Sequence, residues 1–152
     1  MDLVNLLKTE ALANDWHFIY GRPADLNFSA CRNEDGTFRE YVDGQLVMGV
    51  YLNTIASNFS KANAISKEIY NGALILGRKF DDDGTAASLD ETDLQKYDRR
   101  FYDLMELLKT FLIGFACDNG LSIDFFVVSL LPNQYDTDID FVSLIFTLSY
   151  EN

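Results

Sequence analysis

The sequence predicts an α+β domain: a mainly antiparallel sheet, made of a meander and a C-terminal hairpin, with an N-terminal helix and one long helix packed on it. Three observations predict it. Residues 89–118 carry an unbroken helical stripe. Asp-Gly pairs separate short alternating segments in the first third of the chain. Two apolar, strand-like segments flank a polar loop at the end.

Taken in order, Leu3, Leu6 and Leu7, followed by Ala11 and Leu12, recur at helical spacing, so residues 2–14 read as a short amphipathic helix closed by Asn14-Asp15. "WHFIYGR" then begins extended, with Trp16, Phe18 and Tyr20 on one side, and Gly21 and Pro23 break it. The segments "LNFSACR", "TFREYV" and "QLVMGVYLNTIA" are separated by Asp35-Gly36 and Asp43-Gly44. Asp-Gly suits a two-residue hairpin turn because glycine tolerates the positive φ of the tight geometry. In the third segment Leu46, Met48, Val50 and Leu52 form the better core face.

Residues 60–80 read as a second helix, since Ile65, Ile69, Ala73, Leu76 and Phe80 fit spacings of three and four, although Gly72 and Gly77 weaken it. In 89–118 the stripe is Leu94, Tyr97, Phe101, Leu104, Leu108, Phe111 and Phe115, and a helix of that span would be about 45 Å long. A second stripe of Tyr102, Met105, Leu112 and Ala116 widens the apolar face, and this surplus is expected to meet another subunit. Asn119-Gly120 closes the helix, with glycine as the left-handed cap. "SIDFFVVSLL" is apolar on both faces, as a central strand should be. "DFVSLIFTLSYE" alternates, with Val142, Leu144, Phe146, Leu148 and Tyr150 inward, and "PNQYDTDI" is the hairpin loop between them.

At 152 residues the chain reads as one domain, large enough for a self-sufficient core. With 48% hydrophobic residues it is not a disordered acidic tail. No apolar run reaches the roughly 20 residues of a membrane helix, so no membrane span is expected. "MDLVNLLKTEALAND" lacks the basic start of a signal peptide, so Cys31 and Cys117 are expected as reduced, partly buried thiols. The net charge of −12 repels phosphate backbones, which argues against sequence-specific nucleic-acid binding and suits a surface that DNA passes without sticking.

"KFDDDGTAASLDE" invites a calcium loop, but setting Gly84 at the sixth position puts Lys79 where the first carboxylate belongs. It reads instead as a turn, Asp82-Asp83-Gly84, and a capping box from Ser88 to Glu91, with Asp90, Glu91 and Asp93 near the positive end of the helix dipole. Asp136, Asp138 and Asp140 alternate and read as a solvated hairpin tip that discourages edge aggregation. His17, the single histidine, has no nucleophile or ligand set beside it and reads as an edge or surface residue. "GALILGRKF" lacks phosphate-loop spacing, and Arg78, Lys79, Arg99 and Arg100 are scattered among acids. No catalytic residue, metal ligand or cofactor is therefore expected.

Two blocks, "ALILGRKFDDDGTAASLDETDLQKYDRRFYDLMELL" and "FACDNGLSIDFFVVSLLPNQYDTDIDFVSLIFTL", together resemble small structural proteins encoded by tailed phages and prophages of Bacteroidetes-type bacteria. The layout is similar to tail-terminator, or tail-completion, proteins. The likeness covers most of the chain and contains no catalytic signature. It implies a non-enzymatic ring subunit of the neck or tail, found in the virion or, before assembly, in the bacterial cytoplasm. Its partners would be copies of itself and other tail or neck proteins. A closed ring needs two different patches per subunit. The expected contacts are the 33–45 turns with Asp35 and Asp43, the 134–140 hairpin with Gln134, Tyr135, Asp136 and Asp138, and Tyr102 and Met105 on the long helix. Two other readings compete. A cytoplasmic adaptor predicts one exposed apolar patch and no ring. A small-ligand domain predicts a deep pocket near His17 and Tyr20.

Overall fold

The computed structural model describes residues 1–21, 35, 37, 45–62, 64–79, 101–134 and 139–151. Helix α1 (Leu3–Ala13) leads into a short strand β1 (His17–Tyr20). Strands β2 (Leu46–Phe59) and β3 (Ile65–Lys79) form a long hairpin. Helix α2 (Asp103–Asp118) precedes a second hairpin, β4 (Ser122–Gln134) and β5 (Ile139–Glu151). The five strands lie in the order β1-β2-β3-β5-β4, and every pairing is antiparallel except β1 with β2. The α+β class read from the sequence is what forms.

One face of the sheet carries the core. Met48, Val50, Tyr70, Leu74, Leu76, Val142, Leu144, Phe146 and Leu148 are buried there, beneath Leu3, Leu7 and Ala11 of α1 and Leu104, Leu108, Phe111, Leu112, Phe115 and Ala116 of α2. The inward set expected for β5 is borne out, with Tyr150 packed at its margin, and so is the even-numbered face of β2. Trp16 joins the two helices, its ring 5.0 Å from that of Phe111. Such aromatic contacts add about 0.5–1.5 kcal/mol beyond their area. In β1, Ile19 is buried on the opposite face while Tyr20 is exposed. Tyr20, the third aromatic expected on the core side, is the last residue of the strand and stays uncovered.

Both helices end in the same way. The N–H of Trp16 donates to the Ala11 carbonyl (3.0 Å) and that of Asp15 to the Leu12 carbonyl (3.1 Å), with Asp15 at φ 58°. In α2, Leu121 donates to Ala116 (2.8 Å) and Gly120 to Cys117 (3.3 Å), with Gly120 at φ 64°. This paired pattern around one left-handed residue satisfies carbonyls that a helix end leaves open. The residue after each turn, Trp16 or Leu121, is buried, which fixes the exit of the chain into β1 or β4.

Residues 65–79 are a strand where the spacing predicted a helix. Ile65, Ile69 and Ala73 recur every four residues, a step that returns to one side of a strand as readily as to one side of a helix. The structure buries Tyr70, Leu74 and Leu76 on the core face and Ile75 on the other, between β2 and β5. Burial on both faces is what a central strand requires. "SIDFFVVSLL", expected as central, is instead the outer strand β4. The strands expected in 26–42, the capping box at Ser88–Glu91 and the helix start before residue 101 lie outside the described residues.

Under α1 the core face ends in a polar cluster. Tyr70 donates its hydroxyl proton to Glu68 Oε2 (2.5 Å), which also takes the Met1 ammonium at 2.9 Å. The Tyr70 hydrogen bond, followed by the ammonium, holds the Glu68 carboxyl below the ordinary carboxylate range. Burial, reinforced by Glu68, pushes the Tyr70 phenol up, so it stays a donor at neutral pH. A carboxyl whose folded pKa is depressed adds stability above its ordinary value of 4.5, and that contribution is lost as pH falls through the folded value. Tyr70→Phe is therefore expected to cost about 1–2 kcal/mol at neutral pH. Denaturant midpoints measured down the pH scale from 6 should fall less steeply in Tyr70→Phe than in the parent. Parallel slopes would remove Glu68 from the account.

Candidate assembly surface

The outer strand β4 is built from residues that a sheet normally hides. Phe125, Phe126, Val127 and Leu130 are all exposed, and among the described residues nothing pairs along the strand's outer edge. An edge presents unpaired N–H and C=O groups, and proteins usually blunt it with charge, proline or a bulge. Here such devices stand only at the ends. The register against β5 shifts between Ile123 and Phe125, at Asp124, and again between Leu131 and Gln134, around Pro132. Asp124 is exposed and accepts a hydrogen bond from the hydroxyl of buried Ser149 at 3.2 Å. Between these two points Phe125–Leu131 is regular, uncharged and apolar.

The pleat sends Phe125 and Val127 to the face away from the helices, beside Ile145 of β5, which is half exposed. Phe125 and Ile145, together with Tyr51 and Ala73, border a shallow depression of about 350 Å³. Its polar side is a ladder across three strands. Asn71 donates through Nδ2 to Thr54 Oγ1 (2.8 Å), and Thr147 donates to Asn71 Oδ1 (2.8 Å). These side chains are spent on one another, so the depression presents mainly apolar walls. Neither His17 nor Tyr20, where the competing small-ligand reading placed a pocket, lines it.

Gly72 sets how closely β2 and β3 approach at this point. Its place opposite Leu52 adjoins the register shift at Asn53, and a Cβ there would fall against the Tyr51 carbonyl oxygen, with Leu52 and Phe146 carbons at 3.0 Å. No side chain longer than hydrogen fits without moving β2.

The surplus face of α2 differs from the one expected. Leu112 and Ala116 are buried and Met105 packs partly against the core, so of the second stripe only Tyr102 stands exposed. The outward side instead carries Leu107, Thr110, Ile113, Gly114 and Cys117. Cys117 is a free thiol as expected, but exposed where a partly buried one was expected, and Cys31 lies outside the described residues.

Of the other residues expected at contacts, Asp35 accepts from the backbone N–H (3.0 Å) and hydroxyl (2.6 Å) of Thr37. That hydroxyl, then the N–H, lowers the Asp35 pKa. The carboxylate is occupied in shaping its own turn. Gln134 is the last residue of β4, opposite Ile139. Asp43, Tyr135, Asp136 and Asp138 lie outside the described residues. Among the described residues no group of three or more His, Cys, Asp or Glu side chains could hold a metal ion, and no helix is long and apolar enough to cross a membrane. Sequence reasoning named the hairpin tip and missed the strand leading to it. The missed signal was the stretch Phe125–Gln134, free of charge in so acidic a chain. No protein-family model matches the chain, and no curated protein matches it either.

Proposed function

We propose that the protein is a non-enzymatic structural subunit that assembles with copies of itself into a ring and caps or joins the tail of a phage or prophage, as its resemblance to tail-completion proteins implies. The observation that supports self-association is the outer edge of β4 from Phe125 to Leu130: an uncharged, largely apolar, exposed run on a chain of net charge −12. Like-charged copies repel except where charge is absent, so this strand is where two of them can meet. An acidic ring also lets DNA through without holding it. Before assembly the subunit resides in the bacterial cytoplasm and afterwards in the virion.

Sedimentation velocity and native mass spectrometry across a hundredfold range of concentration test this reading. The expected result is conversion of monomer to one closed oligomer of fixed subunit number. A monomer throughout, able to bind one foreign protein through a single patch, would overturn it in favour of an adaptor.

A further inference from the structure

We infer that the joint between neighbouring subunits is a strand pairing: β4 of one copy lies antiparallel along the outer half of β2 of the next, so the sheet runs on from subunit to subunit. This rests on the self-association proposed above and names its contact. β1 covers β2 only along Val47–Val50, so among the described residues Tyr51–Phe59 has no strand on that side. This segment resembles the Phe125–Leu131 window of β4 in two respects. All of β2 is uncharged, and its hairpin with β3 exposes Ile55, Phe59 and Ile65. Among the described residues the sheet therefore has a charge-free edge on each side, apolar on β4 and mixed polar and apolar on β2, although the chain as a whole is strongly acidic.

Direction agrees. β2 and β5 both run opposite to β3, and β4 runs opposite to β5, so a copy set beside β2 in the same orientation brings its β4 antiparallel to it. Two different patches joined head to tail are what a ring requires, whereas β4 paired with a second β4 would close as a dimer. Thr54–Asn58, regular between the two register shifts of β2, faces Phe125–Leu131, regular between those of β4. The shorter of these windows limits the regular pairing to about 17 Å at ~3.4 Å per residue. One such pairing falls short of the roughly 800 Å² per partner of a standard interface. A single joint is therefore weak, and the additional joint made when the ring closes, which leaves every subunit held on two sides, makes assembly steep in concentration.

Cysteine pairing tests the joint, in a chain with Cys31→Ser and Cys117→Ser. Val127→Cys is mixed with Ala56→Cys, or with Asn58→Cys, whose side chains share the face of the sheet away from the helices, and oxidised at a concentration where the parent assembles. Disulfide dimers that form in a mixture, and in neither protein alone, are the expected result. Dimers from Val127→Cys alone would overturn the inference in favour of a two-fold β4 pair. Val127→Lys should weaken association at least tenfold with the circular dichroism and thermal midpoint unchanged, while Ile113→Lys on α2 should leave association as it is. If the parent assembles but no mixture cross-links, or Val127→Lys assembles normally, the strand joint is wrong and self-association stands. If the parent never assembles, the proposed function itself fails.

Discussion

Gly72→Val is expected to leave the chain unfolded. The position is buried inside β3, with the Tyr51 carbonyl where a Cβ would go and with Leu52 and Phe146 packed against it on the core face. A flexible neighbour could swing aside, but a backbone carbonyl cannot move without dragging β2 out of register. Overpacking a core by a few atoms costs about 1–3 kcal/mol even where side chains relax. Here the strand itself has to shift, against a total stability on the order of 5–15 kcal/mol. Gly72→Ala provides a graded version: it should fold, with its denaturant midpoint clearly lowered. Far-ultraviolet circular dichroism and urea titration read both. An alanine variant as stable as the parent would show that β2 has slack at Asn53.

The second large effect separates the two sides of α2. Leu108→Ala should cost about 2–5 kcal/mol, since Leu108 is fully buried between helix and sheet and its loss leaves a cavity there. Ile113→Ala, on the same helix, should change stability by less than about 0.5 kcal/mol, because more than half of Ile113 is already exposed (55%). Urea denaturation of the two variants compares them directly. Equal losses would mean that Ile113 is covered within the subunit.

The contrast also shows what the sequence could and could not disclose. The stripe Leu104, Leu108, Phe111 and Phe115 was legible because a helix has a single buried side and its period is distinctive. The second stripe was misjudged because Leu112 and Ala116 look like surplus until β4 and β5 are known to flank the helix, a fact that no local pattern carries. Residues 65–79 were misread because steps of four fit both periods. Gly72, counted there against a helix, was in truth a requirement of the strand. β4 was misplaced for a different reason. A strand buried on both faces and an apolar strand at the rim are written with the same residues, so Phe125–Leu131 reads identically as the middle of a sheet or as its edge. Of the expected contact residues, Asp35 lies in a turn that uses its own carboxylate and Tyr102 is exposed on α2, while the apolar edge is carried by residues that the hairpin pattern had assigned to the interior.

The turn that closes α2 bears on the strand joint proposed for β4. Gly120 and buried Leu121 clamp the start of the strand to the end of the helix, and β5 holds its inner side along the whole window. A strand splinted on two sides arrives already straight and has little motion left to surrender when a second chain aligns with it. Much of the entropy that a loose segment would forfeit at that moment has been lost once, during folding.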